Sequence, residues 1–170
     1  MRFMENELLT LKRNACMLGL CGQYKTMWDA CRSKKDLIDM ALDANGVEFM
    51  ADSIEFGWGL SKEYMIKKFG DFINGKYQRN KGGYKSRMYV GYEEDITIDS
   101  TITLLVGCKG KVIVPCGMVG NIYICGGCDI DVKNDGVVYL YAYGSSNKVH
   151  EDGNAEVIQW KASEWVDGRK

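Results

Sequence analysis

The sequence predicts an α+β protein: an N-terminal helical bundle followed by a small β-solenoid-like C-terminal half. Three observations predict it. Apolar residues recur at helical spacing up to about Gly75. From Tyr84 onward, short runs of β-branched residues and tyrosines punctuated by glycine replace that stripe. Those runs also return at a near-constant interval, as stacked coils require.

The helical elements follow in order. Leu8, Leu11, Ala15 and Leu18 mark a first helix, and Leu20, Tyr24, Met27, Trp28 and Cys31 share one face of a second. Ser33-Lys34-Lys35-Asp36 has the form of a capping box, opening a third helix with Leu37, Ile38, Ala41 and Leu42 turned inward. Asp43-Ala44-Asn45-Gly46 predicts a break before the stripe Val47, Met50, Ala51, Ile54. Gly57-Trp58-Gly59 ends that helix, Ser61 caps the next, and Met65, Phe69, Phe72 and Ile73 form its buried side.

Strands are predicted at residues 96–98, 102–106, 111–115, 121–125, 129–132, 137–143 and 155–160. Leu104, Ile122 and Leu140 are spaced by 18 and 18, Val112, Ile130 and Val149 by 18 and 19, and the pairs Gly107-Cys108 and Gly127-Cys128 by 20. Coils stacked at this interval would bring such residues over one another. An antiparallel sandwich or meander is the alternative, since its strands arrive at similar spacing. The like-phase Ile, Leu and Val residues favour the solenoid. The chain then divides into a helical domain at 1–75, a basic connector at 76–87, a β-repeat domain at 88–162 and a tail at 163–170.

Composition narrows the chemistry. The 170 residues include twenty glycines, one proline (Pro115), seven cysteines and one histidine (His150), and the net charge is −1. One histidine leaves little room for Ser-His-Asp relays or His-rich metal sites. A near-zero charge gives no bulk electrostatic case for nucleic acid or membrane. Glu5 and Glu7 interrupt what a signal peptide would keep apolar, and an odd cysteine count suits free thiols, so the expectation is a cytoplasmic protein with no membrane partner. No G-x-G-x-x-G motif links a strand to a helix, and Tyr77 stands where a phosphate loop beginning at Gly70 would need Ser or Thr. No cofactor is expected.

The cysteines read as structural. Cys125-Gly126-Gly127-Cys128 has metal or redox spacing, but it lies between strands rather than at a helix N-terminus. A zinc site would need Cys108 and Cys116 beside Cys125 and Cys128, at a separation unlike a knuckle. Core cysteines at equivalent corners of successive coils are the preferred reading. His150, within Lys148-Val149-His150-Glu151-Asp152-Gly153, is expected on a polar turn paired to Glu151 or Asp152, remote in sequence from Cys16, Cys21 and Cys31 of the helical half. No catalytic residue is assigned.

The charged feature that stands out is residues 76–87. Lys76, Arg79, Lys81, Lys85 and Arg87 alternate with Tyr77 and Tyr84 and no acid intervenes, a mixture that suits an acidic partner or phosphates. The acids Glu93, Glu94, Asp95 and Asp99 follow directly and are expected to satisfy part of that charge.

The blocks Tyr24-Lys25-Thr26-Met27-Trp28, Ser33-Lys34-Lys35-Asp36-Leu37, Gly57-Trp58-Gly59-Leu60-Ser61 and Phe72-Ile73-Asn74-Gly75-Lys76-Tyr77, followed by a repetitive β tail, give the chain its resemblance. It resembles small accessory proteins of phages and mobile elements of gut bacteria. The resemblance implies a non-catalytic interaction protein that binds a host protein or nucleoprotein, including anti-defence inhibitors such as those of CRISPR nucleases. The alternatives are a virion or appendage component that self-associates through the β half, and a nucleic-acid-binding protein using the basic connector.

Overall fold

The structure is a computed structural model that describes residues 2–17, 20–55, 60–153 and 155–160. The described helices are α1 (Arg2–Met17), α2 (Gly22–Ala30), α3 (Lys34–Ala41), α4 (Ala44–Glu55) and α5 (Lys62–Ile73). The stripes read from spacing are the buried ones: Leu20 and Tyr24 are buried, with Met27, Trp28 and Cys31 packed against the same cluster. Ser33 accepts from the Asp36 amide while the Asp36 carboxylate accepts from the Ser33 amide, so the capping box is complete. Ser61 likewise accepts from the Tyr64 amide at 3.0 Å. Two details differ from expectation. The break before α4 is present but confined to Leu42-Asp43, and Ala44-Asn45-Gly46 already forms the first turn of α4, where Gly46 lets that turn close against the Met40 and Ala41 carbonyls. Phe72 lies half-exposed at the margin of the stripe, 6.0 Å from the Lys34 ammonium. Leu18, Gly57-Trp58-Gly59 and the tail at 163–170 lie outside the described residues.

Ten strands follow: β1 (Lys76–Lys81), β2 (Tyr84–Val90), β3 (Ile96–Thr97), β4 (Ile102–Val106), β5 (Lys109–Val114), β6 (Val119–Cys125), β7 (Asp129–Asn134), β8 (Val137–Tyr143), β9 (Lys148–Gly153) and β10 (Glu156–Trp160). They form a six-stranded sheet, β1-β2-β4-β6-β8-β10, and a four-stranded sheet, β3-β5-β7-β9. Every pairing is parallel except the β1–β2 hairpin. Successive strands therefore alternate between two facing parallel sheets, which is a β-solenoid and not a sandwich of hairpins. Its interior holds Tyr89, Leu105, Ile122, Ile124, Val138 and Leu140 from one sheet against Val112, Val114, Ile130 and Val132 from the other.

The register corrects the repeat interval. Leu104 pairs with Tyr123, and Thr103 with Ile122. Leu104 consequently points away from the solenoid interior while Ile122 and Leu140 point into it, since a one-residue offset exchanges the faces of a strand. Val112 pairs with Val132, so it shares a face with Ile130 but not a row. The spacing of 20 holds at the corner, where Lys109 pairs with Asp129 and the Asp129 amide donates to the Cys108 carbonyl at 2.9 Å.

The outer face of the six-stranded sheet is also apolar. Met88, Val90, Leu104, Val106, Tyr123, Cys125 and Tyr143 form one core with Ile38, Leu42, Val47, Ala51, Ile54, Met65, Phe69 and Ile73 of the helices. The helical and β halves are thus joined through a common core, with α4 and α5 lying on the sheet. Close approach is possible because a glycine follows directly on β2, β4, β6 and β8. Gly91, Gly107, Gly126 and Gly144 have φ of 59°, 57°, 71° and 72°, the left-handed region in which a Cβ costs roughly 1–2 kcal/mol. Side chains of Ile66, Lys62 and Glu55 crowd the space a Cβ would need at Gly91, Gly107 and Gly144, and at Gly126 Val106 would lie 3.1 Å from it. Among the described residues no helix is long and apolar enough to cross a membrane.

Gly107→Ala and Gly127→Ala separate the backbone cost from the contact. Both glycines have positive φ, but a Cβ at Gly107 would lie 2.9 Å from the Gly126 carbonyl oxygen while one at Gly127 would meet nothing within 4 Å. Gly127→Ala should cost about 1–2 kcal/mol in urea unfolding, and Gly107→Ala clearly more.

Candidate functional site

The basic stretch is not a linker but a hairpin that extends the solenoid sheet. Residues Lys76 to Lys81 pair antiparallel with Tyr84 to Tyr89, and Lys81 faces Tyr84 across a two-residue turn. Gly82 and Gly83 have φ of 59° and 79°, the sense of twist that a tight hairpin requires. At its base, Asn74 and Gly75 adopt positive φ, ending α5 and reversing the chain into β1. That geometry leaves the Gly70-to-Lys76 run as a helix terminus continuing into a strand.

Period-two alternation sorts the side chains. Tyr77 lies on the helix side, packed against the common core, and its hydroxyl donates to Asp39 on α3 at 3.0 Å. Burial, and then this bond, push the Tyr77 hydroxyl pKa up. Asp39 also takes Lys35 at 2.6 Å, so it is already shared when the hairpin docks. Tyr77 is an anchor, not a free aromatic.

Lys85 and Arg87 are likewise engaged. Arg87 donates from Nε to Asp99 Oδ1 at 2.6 Å and from its terminal nitrogen to Oδ2 at 2.9 Å, and Lys85 pairs with the same carboxylate. The bidentate Arg87 contact, with help from Lys85, lowers the Asp99 pKa to about 2. Asp99 is one of the acids expected to neutralise this stretch, and it takes two of the five cations. Lys76 stands 6.0 Å from the Tyr92 ring centre. Among the described residues, Lys76, Arg79 and Lys81 have no ion-pair partner. Tyr84, at the hairpin tip, is 62% exposed.

The structure therefore divides the seven candidate residues. Tyr77, Lys85 and Arg87 hold the hairpin in place; of the others, Arg79, Lys81 and Tyr84 lie on the Tyr77 face, with Arg79 half-buried and Lys81 and Tyr84 exposed, and Lys76 is exposed on the opposite face with Lys85 and Arg87. Gln78, which the sequence reading passed over, lies between the cations on the same strand and donates to Asn80 at 3.1 Å. Its signal was the alternation in Lys76-Tyr77-Gln78-Arg79-Asn80-Lys81, obscured because few of those side chains are apolar.

The cysteines occupy other positions. Cys108, Cys125 and Cys128 are buried, whereas Cys116 is exposed past the far end of β5. The four do not converge, and among the described residues no group of three or more His, Cys, Asp or Glu is placed to hold a metal. Cys108 and Cys128 stack at one corner, where the Cys108 amide donates to the Cys128 sulfur at 3.2 Å. The hydrogen bond with Cys108 and burial push the Cys128 thiol pKa far up, and burial alone does most of the same at Cys125. The enclosed Cys125 and Cys128 thiols pack as small apolar groups. His150 is on strand β9 rather than on a turn, in register with Asp131, while Glu151 accepts from the Ala155 amide instead.

No protein-family model, curated protein or solved structure matches the chain.

Because Asp99 titrates lower folded than at its ordinary value of 3.8, its contribution is present above that value and is lost as pH falls toward 2. The stability difference between the wild type and Asp99→Asn should be constant near pH 6 and shrink below pH 4. Urea unfolding across that range, with NMR titration of the Asp99 carboxyl, measures both.

Proposed function

We propose that the protein is a non-catalytic binding protein that contacts an acidic host protein or nucleoprotein through the β1–β2 hairpin. The observation that carries this reading is the sorting of charge on the hairpin. Asp99 and Asp39 engage Lys85, Arg87 and Tyr77, and Lys76, Arg79 and Lys81, on both faces of an edge strand that ends beside exposed Tyr84, have no ion-pair partner among the described residues. Long basic side chains around an accessible aromatic are the composition of a contact surface for a negatively charged partner. The four-coil sheet behind it supplies a rigid mount, which lowers the ordering cost of binding. A contact role of this kind fits an accessory protein of a phage or mobile element that blocks host machinery, including a defence nuclease.

The triple variant Lys76→Glu, Arg79→Glu, Lys81→Glu tests it. In affinity capture from a host lysate, the wild type should retain a partner that elutes with rising salt, and the variant should lose that partner while unfolding at the same urea concentration. Equal capture by both proteins would remove the hairpin from the interface. Lys111→Glu on the opposite sheet should leave capture unchanged.

A further inference from the structure

We propose that the partner binds as an added β-strand: an extended acidic segment pairs with the free edge of β1. This rests on the hairpin being the contact surface and specifies how it works.

β1 is the edge of the six-stranded sheet, and its other side is taken up only by β2. The pairing shows which backbone groups are left. In an antiparallel ladder, residues alternate between those that exchange both hydrogen bonds with the partner strand and those whose groups point the other way. The Val90 amide donates to the Gly75 carbonyl at 2.8 Å, which makes Gly75 and Val90 a bonded pair. Counting by two, Tyr77, Arg79 and Lys81 spend their backbone groups on β2. Lys76, Gln78 and Asn80 then direct an amide and a carbonyl each outward. This is a template of three donors and three acceptors, long enough for a strand of five or six residues.

Charge decides what the template accepts. Exposed edges invite self-pairing, and lysines on the edge are a usual defence against it. A second copy of β1 would bring Lys76, Arg79 and Lys81 against the same cations. A strand with acids two residues apart would instead place one carboxylate beside Arg79 and the next beside Lys81, because those two side chains share a face. The edge thus rejects its own kind and favours an acidic strand. Tyr84, across the turn from Lys81, adds an exposed ring at the end of that row.

The probe is a fluorescein-labelled eight-residue peptide of alternating Glu and Thr, read by anisotropy with the full chain. Gln78→Pro removes an outward amide while keeping every charge and every β1–β2 hydrogen bond, a position at which an edge strand tolerates proline. It should weaken peptide binding by about tenfold. A second measurement leaves the protein unaltered: two peptides are N-methylated on alternate amides, one on the odd set and one on the even set. Strand addition predicts that one of them binds and the other does not. If both methylated peptides bind as the parent does, and only the Lys76→Glu, Arg79→Glu, Lys81→Glu variant loses binding, the contact is charge alone; strand addition is overturned and the basic-face reading stands. Tighter binding of a dT oligonucleotide than of the peptide assigns the face to nucleic acid and also overturns the proposal. Absence of peptide binding, or a dimer abolished by Gln78→Pro, overturns it as well.

Discussion

The six-stranded sheet is apolar on both faces, and the rest of the structure answers that constraint. Its inner face closes on the four-stranded sheet, and its outer face would meet water were it not for α4 and α5. Burial of that second face is worth about 25 cal/mol for each Å² removed from water, so the helices and the coils stabilise each other. The corner glycines make the fit possible. At Gly91 and Gly107 the amide donates to the next coil's Val106 and Cys125 carbonyls. At Gly126 the Glu55 carboxylate replaces that carbonyl at 2.6 Å and also receives the Asn147 amide at 3.3 Å, stapling the end of α4 to the fourth coil.

The opposite sheet is built differently on its outer face. Its outer residues face water and carry charge of alternating sign along the stack. Glu93 pairs with Lys109 and Lys148 with Asp129, each at 3.7 Å, with Lys109 and Asp129 in register between them. Each exposed pair contributes little by itself. In the next row Lys111 likewise stands opposite Asp131, so neighbouring coils meet there with opposite charge. His150 belongs to the adjacent row, opposite Asp131. In the hairpin, Asp99 engages Lys85 and Arg87 of β2 and Asp39 engages Tyr77, and the cations without an ion pair among the described residues all lie on β1.

Much of this was legible in the residues. The helix stripes, both serine caps and the strands at Ile102–Val106 and Val137–Tyr143 followed from periodicity and end chemistry, and so did the equivalent corners of Cys108 and Cys128. Three features were not. The register was one residue off at Leu104 because β4 is buried on both faces and its one polar residue, Thr103, is buried as well; Leu104 and Leu105 look alike in sequence and point to different cores. Strand β9 was hidden because Lys148-Val149-His150-Glu151-Asp152-Gly153 has turn composition and is held by parallel pairing to β7. The hairpin was hidden for a similar reason: Tyr77, the β1 side chain packed against the core, is flanked by polar residues, and its partner Asp39 is 38 positions away. Of the candidate site, the segment was legible and the division between anchoring and outward residues was not.

Native-state hydrogen exchange across increasing urea tests most directly whether the two halves are one cooperative unit. Amides of α4 and α5 and those of β4 and β6 should converge on one opening free energy with one dependence on urea. If the helix amides exchange through an opening of lower free energy while the strand amides remain protected, the sheet stands without its helical cover and the shared core is not what holds the fold.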